Sequence, residues 1–304
     1  MQNKKRPILV FGATGQQGGS VARALVERGW PVRALVRDPA SAKARALRDA
    51  GVEVTRGSFE DGTAIAEAMT GAYAVFSVQP SSPGGTVTDE QEVSYGIAVA
   101  DIASRCGLEH LVYSSGGAVR DEPSGVSHFD TKSKIEKHIR TLPIKWTIVR
   151  PASFMELLTM PGFGLNEARF NFFMRPEQTM QVIAVGDIGR IVAAVFEDPD
   201  EHVGKTFEIA GDEVSGRDLE RYFSAAARRP IPYSRFSDEL LASNPFLRKL
   251  AAMMDDGRLA GSADLELMRQ LNPRLETFEA WLRSSGRAPF EQALASTAGW
   301  DYDR

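Results

Sequence analysis

Gly12, Gly15 and Gly18 stand at three-residue spacing directly after the apolar run Ile8-Leu9-Val10-Phe11. A glycine at a strand end permits a sharp turn, a second lets backbone approach an anion, and a third lets the next helix pack closely on the strand. The unsatisfied N–H groups and positive end of that helix then attract phosphate. The stretch Gly12-Ala13-Thr14-Gly15-Gln16-Gln17-Gly18 therefore reads as the pyrophosphate cradle of a dinucleotide, with the backbone N–H groups of Thr14, Gln16 and Gln17 as ligands. Arg37 ends the second strand, read over Pro31 to Val36, about 25 positions beyond the first glycine, where the adenosine ribose is read. An arginine there pairs with a 2′-phosphate and favours NADP(H). Asp38, the next residue, accepts from a 2′-hydroxyl and keeps NAD(H) open. Asp61 reads either as an acceptor for the adenine amino group or as a helix cap.

His128 and Lys132 are four residues apart, so on a helix they share one face. The spacing resembles the Tyr-x-x-x-Lys of short-chain dehydrogenases, in which the tyrosine donates a proton while the lysine holds the nicotinamide ribose and lowers the tyrosine pKa. Histidine stands here in the tyrosine position, and Ser114 or Ser115 would supply the usual serine. An imidazole of ordinary pKa, about 6.5, suits proton donation at neutral pH. A neighbouring Lys132 ammonium disfavours the imidazolium form and makes His128 a poorer resting acid. The plainer reading of His128 is a helix-start residue bonded to backbone.

Elements that would position these groups follow from the hydrophobic pattern. Val21, Ala22, Leu25 and Val26 give the segment after the glycines an apolar helical face, and Gly29 ends it. Short apolar runs at 31–36, 52–54, 73–78, 111–114 and 146–149 alternate with helical stretches at 40–50, 64–69, 90–105 and 129–141. That alternation predicts a doubly wound α/β fold, a parallel sheet covered on both faces. Two loops leave strand carboxyl ends, where open α/β sheets bind ligands: residues 79–85, opening on Gln79 as a cofactor-side candidate, and residues 116–127. Beyond residue 150 the pattern changes. A strand leading into a helix is expected over 182–196, a strand over 205–210, and mostly helix after 215. Residues 1–150 read as the NAD(P)-binding domain and 151–304 as a smaller, mostly helical α/β domain for substrate or partner, with some segments returning to the sheet.

Composition excludes several function classes. The 304 residues carry a net charge of −4 with both signs mixed, so no basic stripe points to nucleic acid. No apolar run approaches the ~20 residues of a membrane span. The basic start Met1-Gln2-Asn3-Lys4-Lys5-Arg6-Pro7 precedes a run shorter than the ~7–15 residues of a signal core, better read as the first strand. One cysteine, Cys106, excludes an intrachain disulfide and fits a reducing cytosol, so a cytoplasmic protein is expected, with that thiol buried and inert. The four histidines have no zinc-type spacing with cysteine, so no metal is expected. Phe163, Phe170, Phe172, Phe173 and Met174 line an apolar pocket, form a partner surface, or are core. Leu265, Leu267, Leu271, Phe278, Trp281 and Leu282 read as C-terminal helix packing.

Longer stretches carry a family resemblance. Val10 to Ala22, Val36-Arg37, Gln91-Glu92-Val93, His128-Phe129-Asp130-Thr131-Lys132, Asp187-Ile188-Gly189 and Leu271 to Leu282 together resemble the NmrA-like family, atypical relatives of short-chain dehydrogenases. The resemblance covers nearly the whole chain. It implies a Rossmann-type fold that binds NADP(H) without an obligatory dehydrogenase activity. By position it implies Gly12, Gly15, Gln16, Gln17 and Arg37 at the phosphates and Lys132 at the nicotinamide ribose. Phe154, Met155 and Glu156 would lie near the nicotinamide. Relatives often have asparagine after that glutamate; Leu157 stands here and removes one polar contact. Some relatives regulate other proteins in response to cofactor redox balance, and others reduce quinones or dyes. The missing tyrosine favours a cofactor-occupancy sensor acting on a protein partner. An NADPH-dependent reductase of quinones or other unsaturated carbonyls is the alternative. A homodimer is compatible with either.

Overall fold

The computed structural model describes residues 5–81 and 85–296. Met1 to Lys4 of the basic start, and Ser82-Pro83-Gly84 of the first loop, lie outside the described residues. In chain order the elements are β1 (Ile8–Val10), α1 (Gln16–Glu27), β2 (Val32–Val36), α2 (Ala42–Asp49), β3 (Glu53–Arg56), α3 (Gly62–Met69), β4 (Ala74–Ser77), α4 (Asp89–Arg105), β5 (His110–Ser114), α5 (Ser127–Ile139) and β6 (Trp146–Pro151). There follow β7 (Ser153–Phe154), β8 (Phe170–Phe172), β9 (Thr179–Ile183), α6 (Val185–Glu197), α7 (Pro199–His202), β10 (Thr206–Ile209), β11 (Asp212–Ser215), α8 (Gly216–Ala227) and β12 (Tyr233–Arg235). The last helices are α9 (Asp238–Ser243), α10 (Pro245–Asp255), α11 (Leu265–Leu271), α12 (Phe278–Arg283) and α13 (Arg287–Ala295). No helix among the described residues is long and apolar enough to cross a membrane.

The chain divides into two compact units, residues 1–150 with 188–207, and residues 151–187 with 208–304. The first is built on a seven-stranded sheet in the order β10-β6-β5-β4-β1-β2-β3. Ile8 of β1 lies opposite Val32 of β2 on one side and Ala74 of β4 on the other, both parallel. Both faces are covered, so the central strands read as continuous apolar runs rather than alternating ones. Ile8, Leu9, Val10, Val75, Phe76, Leu111 and Val112 are fully buried. Strand order reverses between β1 and β4, and such a switch point opens a crevice at the carboxyl ends.

Four short strands, β7, β8, β11 and β12, are absent from the sequence reading. At two to four residues each they are too short for alternation to register. The aromatic stretch is core: Phe163, Phe170, Phe172, Phe173 and Met174 are at most 7% exposed. They pack in the second unit, with ring centroids 4.1 Å apart for Phe172 and Phe173 and 4.8 Å for Phe170 and Phe223. The expected C-terminal packing needs one correction. Phe278, Trp281 and Leu282 are buried, but α11 faces inward through Met268, leaving Leu267 exposed and Leu265 and Leu271 half-buried. The tail is tied down by carboxylates. Asp187 accepts from Asn272 Nδ2 at 2.5 Å and the Glu276 N–H at 3.1 Å, and Asp212 accepts from the Phe278 N–H at 2.8 Å.

Candidate active site

The glycine turn is built tightly. Gly12 has φ +65°, a left-handed conformation that glycine adopts without strain. A Cβ on Gly18 would lie 2.4 Å from the backbone of Gly12 and 2.5 Å from the Phe11 carbonyl, so helix and strand approach to a distance only glycine allows. Gly15 caps α1 with no side-chain hydrogen bond, and no acidic residue lies in the first turn. That leaves backbone N–H groups and the positive helix end for an anion. The side chain of Gln17 is engaged elsewhere: its Oε1 accepts from Ser114 Oγ at 2.6 Å.

At the end of β2, Arg37 is exposed and makes no ion pair or hydrogen bond among the described residues. Asp38 differs. Its Oδ1 accepts from the Ala40 N–H at 2.8 Å, binding the carboxylate into the turn before α2. Asp61 is the N-cap of α3, accepting from the Ala64 N–H at 2.9 Å, so one of its oxygens is spent on the helix. Glu60 beside it is held below the usual carboxylate range, by hydrogen bonds from Ser58 and Tyr95 first and by Arg37 to a smaller extent. Gln79 donates to Ser77 Oγ at 2.8 Å, while its buried Oε1 has no hydrogen-bond partner among the described residues.

His128 and Lys132 come together on α5, and two residues absent from the sequence reading of the site join them. Lys132 Nζ lies 2.6 Å from Glu92 Oε1, 3.2 Å from Ser81 Oγ and 3.5 Å from His128 Nδ1. Ser81 Oγ lies 2.8 Å from His128 Nδ1. Glu92 arrives on α4, whose start Thr88 and Gln91 fix by reciprocal capping. Its only sequence signal was its place in the family resemblance. Ser81 arrives in the loop after β4, a position marked only as a strand's carboxyl end. Ser114 is not part of this group: it is 2% exposed and bonded to Gln17. Ser115 donates to the buried Glu136, which also holds Arg140 and Arg150.

Burial first, and the Lys132 charge second, push the His128 pKa down to about 3. The imidazole is therefore neutral throughout the physiological range, and its backbone-bonded reading is replaced by side-chain partners. Burial also lowers the Lys132 pKa, against the opposing pull of Glu92. His110, buried beside Thr147, is likewise pushed down to about 4, chiefly by burial. The sign for stability follows. Below about pH 6.5 the unfolded chain binds protons at these two histidines while the folded chain does not, so stability falls with acidification until about pH 4 for His110 and about pH 3 for His128. The urea midpoint should therefore drop between pH 7 and pH 5, and less so in His110→Gln. An unchanged midpoint would contradict neutral burial of both rings.

In the second unit, Phe154 is half-buried in β7, while Met155 is fully buried. Glu156 accepts from the Val185 N–H at 3.1 and 3.2 Å and is hydrogen-bonded to Trp281. Burial nevertheless raises its pKa. Met155 and Glu156 thus have structural partners within their own unit. Leu157 is 39% exposed and Met160 52% exposed. Cys106, expected to be buried, is exposed at the carboxyl end of α4, where a helix terminus meets Gly107. Among the described residues no cluster of histidine, cysteine or carboxylate could hold a metal ion.

Comparison with known proteins gives this architecture a family. The NmrA-like family model matches residues 4–273. The chain belongs to the NmrA-like family. Among curated members it is similar to an NAD(P)H azoreductase of Xenophilus azovorans, 30% identical over 74% of this chain and 76% of that one. Among solved structures it superposes on NmrA, a negative transcriptional regulator in complex with NADP, with TM-score 0.78 at 20% identity over 98% and 99% of the two chains. The Citrobacter sp. triphenylmethane reductase complexed with NADP(H) matches with TM-score 0.75 at 20% identity, over 95% and 100%. In NmrA-like terms, the Asp187-Ile188-Gly189 and Leu271-to-Leu282 motifs have structural work. Asp187 anchors the tail, and a Cβ on Gly189 would lie 2.4 Å from Ser20 Oγ of α1.

Proposed function

We propose that this protein binds NADP(H) and reduces a small carbonyl-type substrate, such as a quinone, with His128 as proton donor. The observation that carries this is the unbroken run of polar contacts Glu92–Lys132–Ser81–His128. The glycine turn suits a pyrophosphate, since Gly15 caps α1 without a side-chain hydrogen bond and no acidic residue stands in the first turn. A reduced nicotinamide, when bound, supplies the hydride. The protein's part is to hold a buried cation and a neutral imidazole together and to offer a proton where negative charge develops on a substrate oxygen. A low pKa does not prevent this, because a neutral imidazole donates through its remaining N–H. The azoreductase and triphenylmethane reductase named above support a reductase in kind.

NADP(H) is preferred over NAD(H) on the contrast between Arg37 and Asp38. The arginine makes no hydrogen bond or ion pair among the described residues, whereas the aspartate is bound into its own turn. Arg37→Ala should weaken NADPH binding by about ten- to a hundredfold, the worth of a charged hydrogen bond, and leave NADH within about twofold. Titration of nicotinamide fluorescence measures both, and equal losses would exclude a 2′-phosphate role.

The test of the activity is direct. Protein saturated with NADPH is mixed with a panel of quinones, enals and azo dyes, and the reduced-nicotinamide absorbance is followed. Oxidation faster than an enzyme-free control is expected. None across the panel, with binding confirmed in the same sample, would remove the reductase reading.

One observation favours a regulatory reading as the second. The Lys132 ammonium already faces Glu92, Ser81 and His128, so a ribose hydroxyl would displace one of them, and Ser81 belongs to the first loop. Cofactor occupancy would then be felt at the surface, where a partner reads it. Proteolysis within 79–88 and 116–127 should slow at saturating NADPH; unchanged digestion would count against it.

A further inference from the structure

We propose that Ser81 is a positioning residue of this site, its hydroxyl fixing His128 as the tautomer that carries its proton on Nε2 and relaying the proton that replaces it. The chemistry rests on the reductase reading; the tautomer does not.

The directions of the hydrogen bonds follow from the donor inventory. A lysine ammonium only donates, so Ser81 Oγ accepts from Lys132 at 3.2 Å. The hydroxyl has one proton to give and two acceptors near it. His128 Nδ1 lies at 2.8 Å, whereas Glu92 Oε2 lies at 3.4 Å, at the limit of a hydrogen bond. The proton goes to the imidazole. Lys132 Nζ, 3.5 Å from the same nitrogen, is a second donor aimed at it. A proton on Nδ1 would face the ammonium, so Nδ1 carries the lone pair and Nε2 the proton. Nε2 makes no hydrogen bond among the described residues, which leaves that N–H for a substrate. Glu92, 1% exposed, balances the ammonium and keeps it in place.

The proton balance closes on this chain. When a substrate carbonyl carbon gains hydride, the carbon–oxygen π pair would move to oxygen, and that oxygen would take the Nε2 proton. Nδ1 takes the Ser81 proton, and Ser81 Oγ takes one from Lys132, leaving an amine. The imidazole ends neutral with its proton on Nδ1. Water then returns a proton to Nε2 while the Nδ1 proton passes back through Ser81 to Lys132. One proton from water is consumed for each hydride. Burial lowers the cost of the transient amine, because it disfavours the charged form.

The tautomer is read without any substrate. The full chain is labelled with ¹⁵N-histidine, and the His128 ring resonances are assigned by their loss in His128→Phe. At pH 7 the wild type should show a neutral ring protonated on Nε2. A proton on Nδ1, or an imidazolium, would overturn the proposal. Ser81→Ala should move the Nδ1 resonance further downfield as its 2.8 Å donor is lost, and Ser81→Thr should restore it. An unmoved resonance in Ser81→Ala would show that Ser81 is not the donor. With a substrate from the panel, Ser81→Ala should lower kcat about tenfold with the Kd for NADPH within about twofold, and Ser81→Thr should recover it. Retained kcat in Ser81→Ala would remove the relay. Absence of turnover in the wild type with an Nε2–H ring would remove the reductase reading and leave the positioning role standing.

Discussion

Lys132→Met is expected to destabilise the folded chain by about 3–5 kcal/mol, the cost of leaving one partner of a buried ion pair uncompensated. Lys132 is 8% exposed and Glu92 only 1%, with nitrogen and oxygen 2.6 Å apart. Methionine matches the lysine stem but not its charge, so the buried Glu92 carboxylate would lose its ammonium partner. Burial outweighs the attraction of Glu92 in setting the Lys132 pKa below its ordinary value. The double variant Lys132→Met/Glu92→Leu should therefore recover wild-type stability or exceed it, since replacing a whole buried pair is often neutral or stabilising. Urea unfolding of the two single variants and the double variant measures the coupling. A loss below about 1 kcal/mol in Lys132→Met, with no recovery in the double variant, would show that the pair is solvated and that the site is open to water.

His128→Phe should reduce turnover by about 10²–10⁴-fold, the usual worth of a positioned general acid. NADPH affinity should hold, because His128 belongs to α5 while the cradle belongs to the turn before α1. Phenylalanine keeps an aromatic ring against Phe129, now at 5.0 Å between centroids, so the loss would report the missing N–H rather than collapse. Steady-state kinetics with a saturating quinone gives the ratio. Full turnover would mean the substrate takes its proton from water and would assign Lys132 and Ser81 to cofactor binding alone. The pH profile separates the acid's form. With the His128 pKa at about 3, wild-type activity should show no inflection near 6.5 from this residue.

The glycine turn and the α5 pair were legible because they are local. Strand, turn and helix at Ile8 to Glu27 need only backbone geometry within 20 consecutive residues, and His128 with Lys132 needs only the helical repeat. Arg37 was legible for the same reason, being fixed by its place at the end of β2. Asp38 and Asp61 show the limit. Their types fit ribose or adenine as well as they fit a turn or a cap, and only the hydrogen bonds to Ala40 and Ala64 reveal that each has a structural partner. Ser114 shows it again. Its position at the end of β5 suited a catalytic serine, but the hydroxyl is committed to Gln17, and Ser81, 47 residues before His128, stands against the imidazole instead.

The doubly wound sheet, the glycine turn and the family are all readable along the chain, because each is written in short periodicities and fixed spacings. The state of the groups in the site comes from the three-dimensional fold. That fold buried Lys132, brought Glu92 from α4 and Ser81 from the loop after β4 to meet it, and made His128 neutral. Those outcomes depend on desolvation and on distances between residues 40 and 51 positions apart. Neither quantity is encoded in local pattern, since both arise only when β4, α4 and α5 close around the same few ångströms.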